Sequence, residues 1–181
     1  QSITLPNATK IDNYAFQFCG NLTNITAPKV TSIGNNAFQS TSLTTVDFPV
    51  VTECSNGMFM DCASIVSAAL PLATSIPQST FNGCISLVAV DMQEALTIGS
   101  SAFEDCTSLV EIDLPLVSSL QSYAFRYCES LREITLLSAV TLATYVFHGC
   151  TSITSIDLPN CTTISTACFM GCTNLEYIEF L

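Results

Sequence analysis

Charge is scarce in this chain. Only 10% of its 181 residues are Asp, Glu, Lys or Arg, against about 25% in an ordinary soluble domain. Basic residues are rarer still: Lys10, Lys29, Arg126 and Arg132 stand against fifteen acids, for a net charge of −11. Four cations cannot build the phosphate-contacting patch that nucleic-acid binding depends on. An acidic surface is also repelled by anionic lipid. Nucleic acid and direct membrane insertion are thereby set aside, and a basic partner is favoured. Histidine occurs once, at His148, and tryptophan not at all. There is no CxxC, no G-x-S-x-G and no phosphate-binding glycine loop. An enzyme needs a nucleophile or base with an orienting partner, so a non-enzymatic protein without metal or cofactor is expected.

Long apolar runs are missing too, although 49% of the residues are hydrophobic. A spanning helix would need about 18 or more consecutive apolar residues; here Ser, Thr, Asn or a charge interrupts every run. No secretory apolar region opens the chain. The apolar residues are distributed, which suits a continuous core along an elongated molecule.

What is present is a repeat. Phenylalanine falls at 16, 38, 59, 81, 103, 125, 147 and 169, at intervals of 22 except for 21 between Phe38 and Phe59. Each unit reads L-x-x-I-x-L-P-x-(V/A)-x-x-I-x-x-x-A-F-x-x-C-x-x. In Leu109-Val110-Glu111-Ile112-Asp113-Leu114-Pro115, Ile112 and Leu114 alternate as the buried face of a short strand. Pro115 cannot donate to a ladder and ends it. Val117 and Leu120 then point back inside. Polar pairs such as Asn35-Asn36 or Ser100-Ser101 offer a cap for a helical turn, on which Phe and Cys at i and i+3 share a face. One coil cannot bury this apolar set; stacked coils can. A period in the low twenties is the signature of a leucine-rich-repeat solenoid.

The units resemble the BspA-like branch of the leucine-rich repeats. Ile33-Gly34-Asn35-Asn36-Ala37-Phe38 and Ile98-Gly99-Ser100-Ser101-Ala102-Phe103-Glu104-Asp105-Cys106 are close matches. Departures are local: Gln93 and Leu137 replace the proline, Cys54 replaces the isoleucine, and Thr41 takes the cysteine place in the shortened second unit. The expected architecture is a single right-handed solenoid over 1–181. One parallel concave sheet of about nine strands (2–6, 22–28, 43–49, 65–71, 87–93, 109–115, 131–137, 153–159 and 175–181) faces a convex side of short helical turns and irregular coil. The sheet is expected to run unbroken past the shortened unit. Both chain ends fall in strands without polar caps, so the expectation is a fragment of a longer array, or ends that associate with another copy.

Ten cysteines are an even number, but seven of them (Cys19, Cys62, Cys84, Cys106, Cys128, Cys150 and Cys172) share one repeat position. Equivalent side chains in stacked coils point the same way about 5 Å apart, whereas a disulfide needs Cβ atoms within about 4.5 Å and a dihedral near about 90°. A column of reduced, buried thiols is expected, with some disulfides as the alternative. His148 follows Phe147 at a position that elsewhere holds Gln, Met, Asn, Glu or Arg, and is expected in solvent.

Two outward columns of the strands carry the candidate binding residues. The third and fifth repeat positions give Glu111, Glu133 and Tyr177 in one column, and Asp47, Asp91, Asp113, Asp157 and Glu179 in the other, among Ser, Thr and Ala. Asp91 and Asp113 are expected to oppose each other across about 5 Å, an unfavourable pairing on a sheet that a divalent cation or a Lys/Arg-rich segment would relieve. The alternative is that these carboxylates only keep a sparsely charged solenoid soluble. The resemblance implies a cell-surface or secreted protein that adheres to host proteins or other cells, with an extracellular or cell-surface protein as partner. A structural spacer with no ligand of its own is the other reading.

Overall fold

The computed structural model describes residues 1–180, and in it each repeat becomes one coil with three hydrogen-bonded sides. The first side holds nine three-residue strands: Ser2–Thr4, Asn24–Thr26, Thr45–Asp47, Ser67–Ala69, Ala89–Asp91, Glu111–Asp113, Glu133–Thr135, Ser155–Asp157 and Tyr177–Glu179. They pair in parallel at the repeat interval, as in Ile3↔Ile25, Ala68↔Val90 and Ile112↔Ile134. The middle residue faces the core and its neighbours face out, as the alternation requires. The strands are shorter than the seven residues expected because tight turns close at both ends. Leu109 N–H returns to Cys106 O at 3.1 Å, and Val117 N–H to Leu114 O at 3.2 Å. Leu181, the last residue of the ninth expected strand, lies outside the described residues.

The second side corrects the expectation of a single sheet. Eight two-residue strands (Lys10–Ile11, Ser32–Ile33, Glu53–Cys54, Ser75–Ile76, Thr97–Ile98, Ser119–Leu120, Thr141–Leu142 and Thr163–Ile164) form further parallel ladders. Two residues are too few for a period of two to be read from sequence.

The third side replaces the expected helical turns; no helix forms among the described residues. Around Phe103, Ala102, Glu104 and Cys106 donate their N–H groups to Gly99, Ser101 and Phe103, each three residues back, at 3.3, 3.3 and 3.1 Å. The alternate groups of Ser101, Phe103 and Asp105 donate to Ser122, Ala124 and Arg126 of the next coil, at 3.0, 2.8 and 2.9 Å. An α-helix would need every donor for bonds four residues back and a negative φ throughout. Instead Ser101 (φ 55°) and Asp105 (φ 61°) are left-handed on either side of Phe103. The pattern recurs along the stack, and most of the slots hold glycine or a short polar residue, as Asn36, Ser40, Gly57, Asp61, Ser79 and Gly83 do. The polar residues read as caps are the ones that make these turns.

The three sides enclose one core. Seven consecutive phenylalanine pairs stack from Phe16 to Phe169 with centroids 5.1–5.6 Å apart and planes within 14°. Phe38, Phe59, Phe81, Phe103, Phe125 and Phe147 are fully buried. Burying a large apolar side chain contributes roughly 1.5–3 kcal/mol, so the column is a leading part of the folding energy.

The strand side is not unbroken. No ladder joins Asn24–Thr26 to Thr45–Asp47, where Thr44 N–H to Thr23 O (3.3 Å) crosses instead. The missing residue lies in the corner just before this strand, since Ser42 alone spans Thr41 to Leu43 where two residues span Cys62 to Ile65. Ladders are also absent between Ala89–Asp91 and Glu111–Asp113, and between Glu133–Thr135 and Ser155–Asp157. At the shortened unit the other sides hold: Ser32 pairs with Glu53, and Phe38 N–H meets Met58 O at 2.9 Å.

Candidate ligand-binding face

All eight candidate residues are exposed on the strand side: Asp47, Asp91, Glu111, Asp113, Glu133, Asp157, Tyr177 and Glu179. Their strands put them there by alternation, with Val46, Ile112 and Ile156 buried between them. The register decides which of them meet. Glu111 lies directly opposite Glu133, and Asp157 opposite Glu179, with Ser155 opposite Tyr177. Ala69 separates Asp47 from Asp91. Asp91 and Asp113 hold the same place in neighbouring coils, but no hydrogen-bonded ladder joins their strands; on its other side Asp113 pairs with Thr135. The like-charge pairs joined by a ladder are Glu111–Glu133 and Asp157–Glu179.

Grooves run along this side and make it the recessed one. One of about 500 Å³ is bordered by Arg132, Glu133, Thr135 and Asp157. Another of about 320 Å³ lies among Ala89, Glu111, Asp113 and Glu133. A third of about 510 Å³ has Ser67, Ala69 and Ala89 as its small-residue floor, between Asp47 and Asp91. Tyr177 and Glu179 lie beyond these grooves. The floor was legible only as gaps between the acids in the two outward columns. Among the described residues the ion pairs are Lys10–Asp12 at 2.7 Å and Arg126–Glu104 at 3.0 Å. Neither involves the eight candidates.

The cysteines are free, and Cys62, Cys84, Cys106, Cys128, Cys150 and Cys168 are buried. Each of the five column members from Cys62 to Cys150 donates its thiol to the phenylalanine carbonyl of the preceding coil, at 2.9–3.2 Å. Thr41 does fill the cysteine place, 3.3 Å from Cys62 Sγ. Cys19 is exposed, which corrects a wholly inaccessible column. Burial pushes the Cys54 and Cys172 thiols up to about 11 and Cys168 up to about 12. A reactive cysteine needs the opposite shift.

On the turn side, Arg126 pairs with Glu104, donates to Tyr127 Oη at 3.2 Å and lies over the Tyr127 ring at 4.5 Å. His148 is not a solvent residue as expected. It is half-buried between Tyr127 and Tyr145, with ring centroids at 5.1 and 5.5 Å, and its Nδ1 is buried. The signal for this cluster was the tyrosines at 123, 127 and 145, which occupy left-handed slots and lean along the stack. Its Arg126 and Glu104 charges meet each other, so it is a packing feature of the turn side.

No protein of curated function matches this chain. Among solved structures it is similar to a leucine-rich repeat protein from Bacteroides ovatus, with 25% identity and a TM-score of 0.71 over 99% of this chain and 54% of that one. It is similar to the leucine rich repeat protein of T. pallidum, with 26% identity and a TM-score of 0.72 over 97% of this chain and 78% of that one. A leucine rich cell surface protein from Faecalibacterium prausnitzii shares the fold at 22% identity and a TM-score of 0.52, over 99% and 59% of the two chains. The chain thus spans little more than half the length of the Bacteroides and Faecalibacterium proteins. The family model of the BspA type leucine rich repeat region matches residues 1–97 and 74–181. Coil by coil, from the phenylalanine stack to the thiol column, the chain belongs to the BspA-type leucine-rich-repeat family.

Proposed function

We propose that this segment is a non-enzymatic protein-binding and adhesion module of a cell-surface or secreted protein, and that its recessed strand side takes a basic stretch of a partner protein. One observation carries this reading. Seven exposed carboxylates line one side of the molecule, two pairs of them directly opposite each other, and no cation pairs with any of them among the described residues. Like charges opposed on a sheet are unfavourable, so a Lys or Arg side chain placed between them gives relief. A net charge of −11 also steers a basic partner toward the surface and makes association sensitive to salt. Placement at the cell surface is supported by membership of the BspA-type family.

The test is binding of an oligolysine peptide to the wild-type chain and to the combined variant Asp91→Asn, Glu111→Gln, Asp113→Asn, Glu133→Gln. Each exposed charge contributes roughly 0.2–1 kcal/mol, so the variant should bind about tenfold or more weakly and with a flatter salt dependence. Equal affinity and equal salt dependence would leave the acids as a solubility device on a structural spacer.

A further inference from the structure

The carboxylates have an apolar neighbour. The residue just before each three-residue strand is polar in most coils: Thr23, Thr44, Arg132, Thr154 and Glu176. In three consecutive coils it is valine. Val66, Val88 and Val110 are 48%, 42% and 37% exposed, and Ile85, in the corner before Val88, is 49% exposed. They hold the same place in three successive coils, and Val88 N–H is bonded to Val66 O at 2.9 Å. Val110 adjoins Glu111, and Val88 adjoins the Ala89 floor of the grooves. Scattered exposed apolar residues need no explanation, but a contiguous row beside a recessed face marks an interaction surface.

We propose that this valine row is the apolar half of the binding face, and that its occupant is an extended, amphipathic basic segment of another protein, alternating apolar side chains with Lys or Arg. The inference rests on the basic-partner reading above. Charge complementarity selects this occupant. A second copy would bring its own carboxylates against Glu111 and Asp113, from a body that also carries −11. An extended strand turns successive side chains to opposite faces. A segment laid along the stack can therefore set one face on the valines and the other toward the carboxylates.

Two peptides of equal length and charge separate the parts: one alternating Lys and Val, the other alternating Lys and Ser. Each is titrated against the wild-type chain and against the Val66→Thr, Val88→Thr, Val110→Thr variant. Threonine is what this position holds in three other coils, so the variant should keep the wild-type circular dichroism and melting temperature. The Lys-Val peptide should bind the wild type about tenfold or more tightly than Lys-Ser, from the transfer value of buried apolar groups. That preference should vanish in the variant while the salt dependence of both peptides stays. Salt-sensitive binding of both peptides without preference, or a preference that survives the variant, overturns the apolar half and leaves the basic-partner reading standing. No binding of either peptide overturns both. If the substitutions instead abolish a concentration-dependent dimer in sedimentation, the occupant is a second copy and the proposal falls.

Discussion

Cys106 meets the carbonyl of Phe81, 25 residues earlier and one coil away, through a thiol hydrogen bond of 3.2 Å. The same carbonyl accepts the Cys84 N–H at 3.0 Å, so both of its lone pairs are used. This explains why the repeat couples phenylalanine to a cysteine three residues later: the ring fills the core, and the thiol satisfies the backbone that carries the ring of the coil before. A buried thiol must stay neutral to do this. Burial pushes Cys84, Cys106 and Cys128 well above their ordinary value of 9.0, and raises Cys62 and Cys150 as well. The folded chain therefore holds protons that the unfolded chain releases above pH 9.0. The stability from these groups is intact below that value and falls as pH rises through it. A thiol that stays protonated costs about 1 kcal/mol one unit above the unfolded value, so the column should remove an appreciable part of a typical domain's stability of about 5–15 kcal/mol. A cooperative alkaline unfolding near about pH 10, followed by circular dichroism together with thiolate absorbance, is expected. Cys106→Thr, which copies the threonine that stands naturally at position 41, should move it upward. Thiolate forming well before the loss of structure would show that the column is open to solvent.

At the scale of the element, the turn side depends on left-handed residues whose side chains lean over the next coil. Gly149 has φ 76°, and a Cβ there would lie 2.5 Å from Tyr127 Cδ1. Alanine at this position meets two costs: a left-handed backbone without glycine, worth about 1–2 kcal/mol, and a collision with the Tyr127 ring. Gly149→Ala should therefore destabilise by about 2–4 kcal/mol in urea titrations. In a Tyr127→Ala background the collision disappears and the backbone cost remains, so the loss should shrink by about 1 kcal/mol or more. Full additivity of the two changes would place Tyr127 away from Gly149.

Across the whole molecule, seven of the fifteen acids line the strand side and the few cations lie mostly elsewhere. Glu111–Glu133 and Asp157–Glu179 are opposed without relief, and the net charge of −11 acts over the full length of the stack. The Debye length falls from about 30 Å at 0.01 M salt to about 8 Å at 0.15 M. The melting temperature should thus rise by a few degrees between those two salt concentrations, and Glu111→Gln should reduce the rise. A flat or falling melting temperature would mean that self-repulsion does not limit stability here.

The periodicity of Phe, Cys, Ile and Leu determined the stacked coils, the strand centres, the buried columns and the outward columns of acids. Each of these follows from side-chain character repeated at a constant interval, and a constant interval survives whatever the backbone does between its marks. The tertiary structure alone decided the rest. The second ladder and the turn side form because N–H groups find carbonyls in the next coil, a partnership with no local trace in a chain whose polar pairs suit a helix cap equally well. Which acids a ladder joins depended on where the three-residue strands are hydrogen-bonded to each other. A ladder that joins Glu111 to Glu133 and is missing between Asp91 and Asp113 is set by backbone geometry across coils, which the identical spacing of the two pairs in sequence does not encode.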